Sequence, residues 1–199
     1  MKTITVSTDV YKFDELSDEA KQVAIQGYRE GSQDFDFAAE HILDDFKEIG
    51  KIIGIDIDNI YFSGFYSQGD GACFEGDYRY KKNSVKDITT FAPLDKELQA
   101  IAFNLYALQR KNFFQLCAFV KHRGHYYHEM CTEITVGTLN DDRYISGDTG
   151  DELKDILRDY MRYMYKRLEE ANDYVNTDAA IIESIQINEY DFTEDGSMF

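Results

Sequence analysis

The chain has 199 residues and a formal net charge of −17, long enough to bury a full core without disulfides or a structural metal. A field of that sign repels nucleic acid and membrane phosphate and attracts basic protein surfaces. Three cysteines (Cys73, Cys117, Cys131) without ligand spacing, no apolar run of membrane-spanning length and no h-region in Met1–Val6 argue against a disulfide scaffold, a cysteine zinc site and a transmembrane or secreted protein. The expectation is one cytoplasmic domain spanning 1–199, with no cofactor.

In chain order, Lys2–Val10 alternates β-branched and polar residues and reads as a first strand. Ser17 caps a helix with Asp18 and Glu19 in its first turn; Ala20, Val23, Ala24, Gly27 and Tyr28 form its apolar stripe, and Gly31 stops it. A second helix covers Phe35–Ile53, with Ala38, Ile42, Phe46, Ile49 and Ile53 inward and Asp36, Glu40, Asp44 and Glu48 toward water. Strands follow at Ile60–Tyr66 and Ala72–Tyr80. A helix at Leu94–Arg110 carries Leu94, Leu98, Ile101, Leu105 and Leu108 on one face. Phe113–Lys121 and Tyr127–Val136 read as a hairpin turning near Arg123-Gly124. A long helix spans Asp151–Asn172, with the stripe Leu153, Ile156, Leu157, Tyr160, Met164 and Leu168. Ile181–Ile187 reads as a last strand and Asp191–Phe199 as an acidic tail. Hairpins outnumber any βαβ pattern, so the predicted fold is α+β: a mostly antiparallel sheet of five to six strands with about four packed helices.

The charge is unevenly spread. Residues 1–58 carry a net −8, residues 59–138 a net +1 and residues 139–199 a net −10. An acidic pair of ends therefore encloses a neutral, aromatic middle. The carboxylates Asp36, Glu40, Asp44 and Glu48 on the second helix, and Asp151, Glu152, Asp155 and Asp159 on the long one, are candidate contacts for a basic protein partner. In the sharper form of this reading they and the carboxylates of the Asp191–Phe199 tail imitate the phosphate spacing of a duplex.

The most distinctive stretch is Tyr61–Tyr80, two aromatic-rich runs around Ser67-Gln68-Gly69-Asp70-Gly71. Glycines on both sides of Asp70 permit a tight reversal. The loop is either a turn in which Asp70 bonds its own backbone, or a small site in which Asp70 holds a cation, the loop amides cradle an anion, or Ser67 and Gln68 contact a partner. It matches neither the P-loop nor the dinucleotide fingerprint. His122-Arg-Gly-His125-Tyr-Tyr-His128-Glu129 gathers three of the four histidines. On a helix His125 and His128 would share a face. In the hairpin they point to opposite faces, which favours a hydrogen-bonded His128 at a core edge over a zinc ligand. No catalytic nucleophile stands out. Should the Asp70 loop and the His125–Glu129 segment meet in space, an Asp/His/Glu site of a small enzyme or ligand-binding protein becomes the alternative.

Ser63-Gly-Phe-Tyr-Ser-Gln-Gly-Asp-Gly-Ala-Cys-Phe74 resembles the F-S-G-F-W-S-Q-G-D-G-A-x-F signature of small acidic proteins found in phages and prophages. Tyr11–Lys21 and Gly124–Glu129 are similar to that family as well. Tyr66 stands where the signature often has tryptophan. Some members carry the label "antitoxin of toxin-antitoxin stability system". The resemblance implies a mobile-element origin and supplies no catalytic residues. Together with the charge it leads to an expectation: a stoichiometric inhibitor of a host defence protein or a toxin.

Overall fold

The computed structural model of the protein describes residues 1–4, 7–139 and 141–199, with backbone only at 141–143. In chain order the elements are β1 (Tyr11–Lys12), α1 (Asp18–Gly31), α2 (Asp34–Ile53), β2 (Ile55–Ser63), β3 (Gly71–Arg79), α3 (Ser84–Phe91), α4 (Lys96–Lys111), β4 (Leu116–His122), β5 (Thr132–Thr138), β6 (Asp141–Tyr144), α5 (Asp148–Val175), α6 (Asp178–Ile187) and β7 (Asp191–Phe192). The fold is α+β, and every strand pairing is antiparallel. Residues 1–39 with 170–199 form one compact unit and residues 40–169 a second.

In the first unit β1 pairs with β7, Tyr11 opposite Phe192, and α1 packs on α6. Ser17 accepts the Ala20 N–H at 3.2 Å and so caps α1; Thr177 does the same for Ala180 at 3.3 Å in α6. Phe13, Leu16, Ala24, Tyr28, Ile181 and Phe192 make a closed apolar cluster. Four sequence expectations change here. The described residues of Lys2–Val10 form no strand, and Thr5 and Val6 lie outside the described residues. On α1, Val23 and Gly27 are exposed and Ile25 is buried in their place. Ile181–Ile187 is helical: its β-branched run reads as strand, but Ile181 and Ile185, four apart, are the buried pair on one helical face. The terminal segment is not a free tail, because Phe192 is buried in the cluster and Lys12 pairs with Asp191 at 2.8 Å.

The second unit is built on a sheet ordered β2-β3-β4-β5-β6. Phe74, Tyr78, Leu116, Ala118, Val120, Ile134 and Val136 are buried, and the period of two puts them on one face. That face carries the helices. Phe46 of α2 and Tyr160 of α5 meet edge-on at 6.4 Å, Phe74 meets Tyr160 at 6.2 Å, and the buried Tyr160 hydroxyl donates to the Phe46 carbonyl at 2.7 Å. The stripe read for α5 is buried throughout, and α2 buries Phe46, Ile49 and Ile53. On α4 the stripe holds from Leu98 onward, while Leu94 precedes the helix and is 90 % exposed. Asp95 caps this helix, accepting the Leu98 N–H at 2.9 Å.

Several boundaries differ from the sequence reading. The first hairpin begins earlier, at Ile55, and has an irregularity between Ile57 and Asn59. Phe113 and Phe114 are not strand; both adopt left-handed backbone, φ 54° and 60°, as the chain leaves α4. The start of β4 is held by buried Gln109, whose amide donates to the Leu116 carbonyl at 2.7 Å and accepts its N–H at 3.2 Å. Between β4 and β5 stands a long connection with a 3-10 turn at Glu129–Cys131 rather than a tight turn. Helix α3 and strand β6 were not legible in the sequence.

Candidate functional site

The outer face of the sheet, away from the helices, carries Tyr61, Cys73 and Glu75, and the β4–β5 connection folds over it. Tyr61 stacks on Tyr127 at 5.4 Å and lies 5.2 Å from the His122 ring. Glu75 ties the parts together. It accepts the His122 N–H at 3.2 Å, the Tyr61 hydroxyl at 3.1 Å and the Asn59 amide at 3.3 Å. Burial pushes its carboxyl up, but these hydrogen bonds outweigh that and hold its pKa below the ordinary glutamate value. Underneath, Cys73 is fully buried, and desolvation drives its thiol to about 12. It is an apolar packing group.

The glycine loop meets this connection. Gly69 has φ 98°, and a Cβ placed there would lie 3.0 Å from the Tyr126 ring. A Cβ on Gly71 would lie 2.8 Å from the His128 Cα. The Asp70 carboxylate folds back on its own turn, accepting the Tyr66 N–H at 3.0 Å and the Ser67 N–H at 2.7 Å. Of the two readings left open for Asp70, this is the turn. From behind, the Tyr165 hydroxyl donates to the Gly64 carbonyl at 3.2 Å, and its ring stacks on Phe65 at 5.6 Å. Burial, with the nearby Glu169 and Asp70 carboxylates, raises the Tyr165 pKa.

His128 is neither deeply buried nor free. Its side chain is 37 % exposed, and Nδ1 sits 3.2 Å from the Met130 N–H and 3.0 Å from a Glu129 oxygen. Glu129 in turn pairs with Arg162 of α5 at 3.2 Å. His125 is exposed at the tip. The two motifs therefore do meet, but Asp70 holds backbone, and His128 and Glu129 hold backbone, each other and Arg162. Among the described residues no three His, Cys, Asp or Glu side chains are grouped to hold a metal.

What the paired loops present outward is aromatic. Tyr66 is 82 % exposed, Met130 61 % and Tyr126 57 %, with Ser67 and Gln68 exposed beside them. The sequence singled out Ser67–Gly71 but passed over Tyr126 and Met130. Their signal was the aromatic pair Tyr126-Tyr127 in a segment that cannot alternate cleanly as a strand.

The acidic candidates fall elsewhere. On α2, Asp36, Glu40, Asp44 and Glu48 are all exposed, and Asp44 pairs with Lys47 at 3.7 Å. On α5 each acid has a cation: Asp151 with Lys154 at 2.9 Å, Asp155 with Arg158 at 3.5 Å, Asp159 with Arg162 at 2.6 Å and Glu152 with Lys111 at 3.7 Å.

A family model described as "Domain of unknown function (DUF8835)" matches residues 39–178, more than half of the chain. The chain belongs to this family. The matched limits fall close to those of the second unit, 40–169, so the DUF8835 region contains the five-stranded sheet, both loops and the long helix. No curated protein and no solved structure matches the chain. No helix among the described residues is long and apolar enough to cross a membrane.

Proposed function

We propose that the protein is a binding module that acts by stoichiometric contact with another protein, and that the paired loops 65–70 and 122–131 are the contact surface. One observation carries this reading: a loop fixed by Asp70, Gly69 and Gly71 holds Tyr66 82 % exposed, and the connection packed against that loop exposes Tyr126 and Met130. Exposed tyrosine and methionine on a rigid support give large contact area for little loss of conformational freedom, the pattern of interface hot spots. Asp70, His128 and Glu129 are engaged in holding the loops.

The resemblance to phage and prophage proteins supports a host defence protein or a toxin as the partner. The net charge of −17 supports one with a basic surface. Imitation of a duplex is better supported on α2 than on α5, where Asp151, Asp155 and Asp159 are compensated three residues away and Glu152 by Lys111. The test is capture from bacterial lysate with three baits: the wild type, Tyr66→Ser/Tyr126→Ser, and Glu40→Lys/Glu48→Lys. The partner should be lost with the tyrosine pair and weakened, chiefly at low salt, with the acid pair. Retention of the partner by the tyrosine variant overturns the assignment.

The alternative of a small enzyme or ligand-binding site has one observation in its favour, the meeting of the Asp70 loop with His128. A stoichiometric metal lost on His128→Ala would establish it.

A further inference from the structure

At the opposite end of β3 lies a cleft of about 620 Å³ lined by α3, the middle of α4, Tyr80 and Phe114. Its size is that of a small-molecule site. Three of its walls are rings: Tyr80 and Phe114 at 4.4 Å, and Tyr106 at 6.1 Å from Phe114, with Phe103, 56 % exposed, at the mouth. Phe114 reaches this wall from a left-handed backbone, φ 60°, which a bulky residue adopts only at a cost.

The other wall is polar. Ser84 is only 5 % exposed, lines the cleft, and its hydroxyl has no hydrogen-bond partner among the described residues. Lys82 and Lys86 line the same wall, and among the described residues neither forms an ion pair, in a chain with 38 acids. Asn83, at φ 69°, precedes α3 and gives it no side-chain cap. The Ser84 N–H donates to the Lys81 carbonyl at 3.4 Å and the Asp87 N–H to the Asn83 carbonyl at 2.9 Å, which leaves the Val85 and Lys86 N–H groups of the first turn without a side-chain acceptor. Asp87 of the same turn is exposed and does not line the cleft.

Flat rings on one side call for a planar ligand. Two ammonium groups without an ion pair, the Ser84 hydroxyl and the Val85 and Lys86 N–H groups of the first turn on the other call for a compact dianion, and a phosphate monoester fits them better than a carboxylate. We propose that this cleft binds a small aromatic phosphate of the nucleoside monophosphate class, through stacking on Tyr80, Tyr106 and Phe114 and phosphate contact with Lys82, Ser84 and Lys86. β3 has nine residues, which sets this cleft about 30 Å from the paired loops. The proposal therefore stands or falls independently of the protein-binding reading.

Isothermal titration calorimetry with the four common nucleoside 5′-monophosphates, adenosine and inorganic phosphate tests it. At least one monophosphate should bind roughly tenfold or more tightly than adenosine or phosphate alone. Lys82→Ala/Lys86→Ala changes only exposed side chains, so it should keep its melting temperature and weaken that binding at least tenfold. Phe103→Ala should weaken it less. Three results each overturn the proposal: no binding by any monophosphate, adenosine or phosphate binding as tightly as the monophosphate, or binding indifferent to the lysine pair.

Discussion

Gly71 and His128 approach so closely that a Cβ on the glycine would stand 2.8 Å from the histidine Cα. The obstruction is backbone, which cannot swing aside as a side-chain end can. At Gly69 the obstacle is the flexible Tyr126 ring, but φ is 98°, so the cost there is backbone strain of about 1 kcal/mol. Gly71→Ala is expected to destabilise by more, about 1–3 kcal/mol. Urea unfolding of both variants checks the order. A Gly71→Ala protein as stable as the wild type would show that the two loops do not touch.

Asp70 should behave as a turn carboxylate. Removing it with alanine leaves the Tyr66 and Ser67 N–H groups without their acceptor and is expected to cost about 1–2 kcal/mol. Asn, which still accepts through its amide oxygen, should recover part of that. Thermal melts with and without calcium, magnesium or zinc should superimpose for wild type and Asp70→Asn alike. A metal-dependent rise in the wild type that Asp70→Asn abolishes contradicts the turn assignment.

The fold was legible where one helical stripe faces one core. Phe46, Ile49, Ile53 and the Leu153–Leu168 series all declare themselves by spacing and are buried as read. It was illegible where β-branched residues sit in short helices. Val85, Ile88, Thr89 and Thr90 in α3, and Ile181, Ile182 and Ile187 in α6, favour strand by propensity, and a few buried contacts decide otherwise. The Asp70 loop was visible through its glycines. Its partner segment was not, because 123–128 is irregular backbone whose place is set by contacts with Tyr61, Gly69 and Gly71, all distant in sequence.

Asp95 carries a pH signature. Burial raises its carboxyl pKa, but the Leu98 N–H, the Tyr163 hydroxyl at 2.9 Å and Arg167 at 2.7 Å overcome this, and the net shift is downward. A depressed folded pKa gives stability that is present above the unfolded value, about 3.9, and lost as pH falls through the folded one. Asp95→Asn should therefore cost about 1 kcal/mol at neutral pH. The gap between variant and wild type should close on acidification below that value. A gap that persists unchanged at pH 2 rules out the ionised cap.

Phe113 is 84 % exposed at φ 54°. With little packing to lose, Phe113→Gly should relieve the left-handed strain and leave stability unchanged or raise it by about 1 kcal/mol. Phe113→Val, β-branched, should lower it. Thermal unfolding of the pair gives the sign directly, and a destabilising glycine would mean that the exposed ring makes a contact worth more than the strain.

The most direct measurement of the contact surface is site-specific photo-crosslinking in cells. A benzophenone amino acid replaces Tyr66 or Tyr126, with Leu94, 90 % exposed and outside the loops, as the control position. The expected result is one discrete crosslinked protein from Tyr66 and Tyr126, competed by unlabelled wild type but not by Tyr66→Ser/Tyr126→Ser, and none from Leu94. Equal crosslinking from all three positions, or none from the tyrosines, contradicts the assignment of the paired loops as the binding surface.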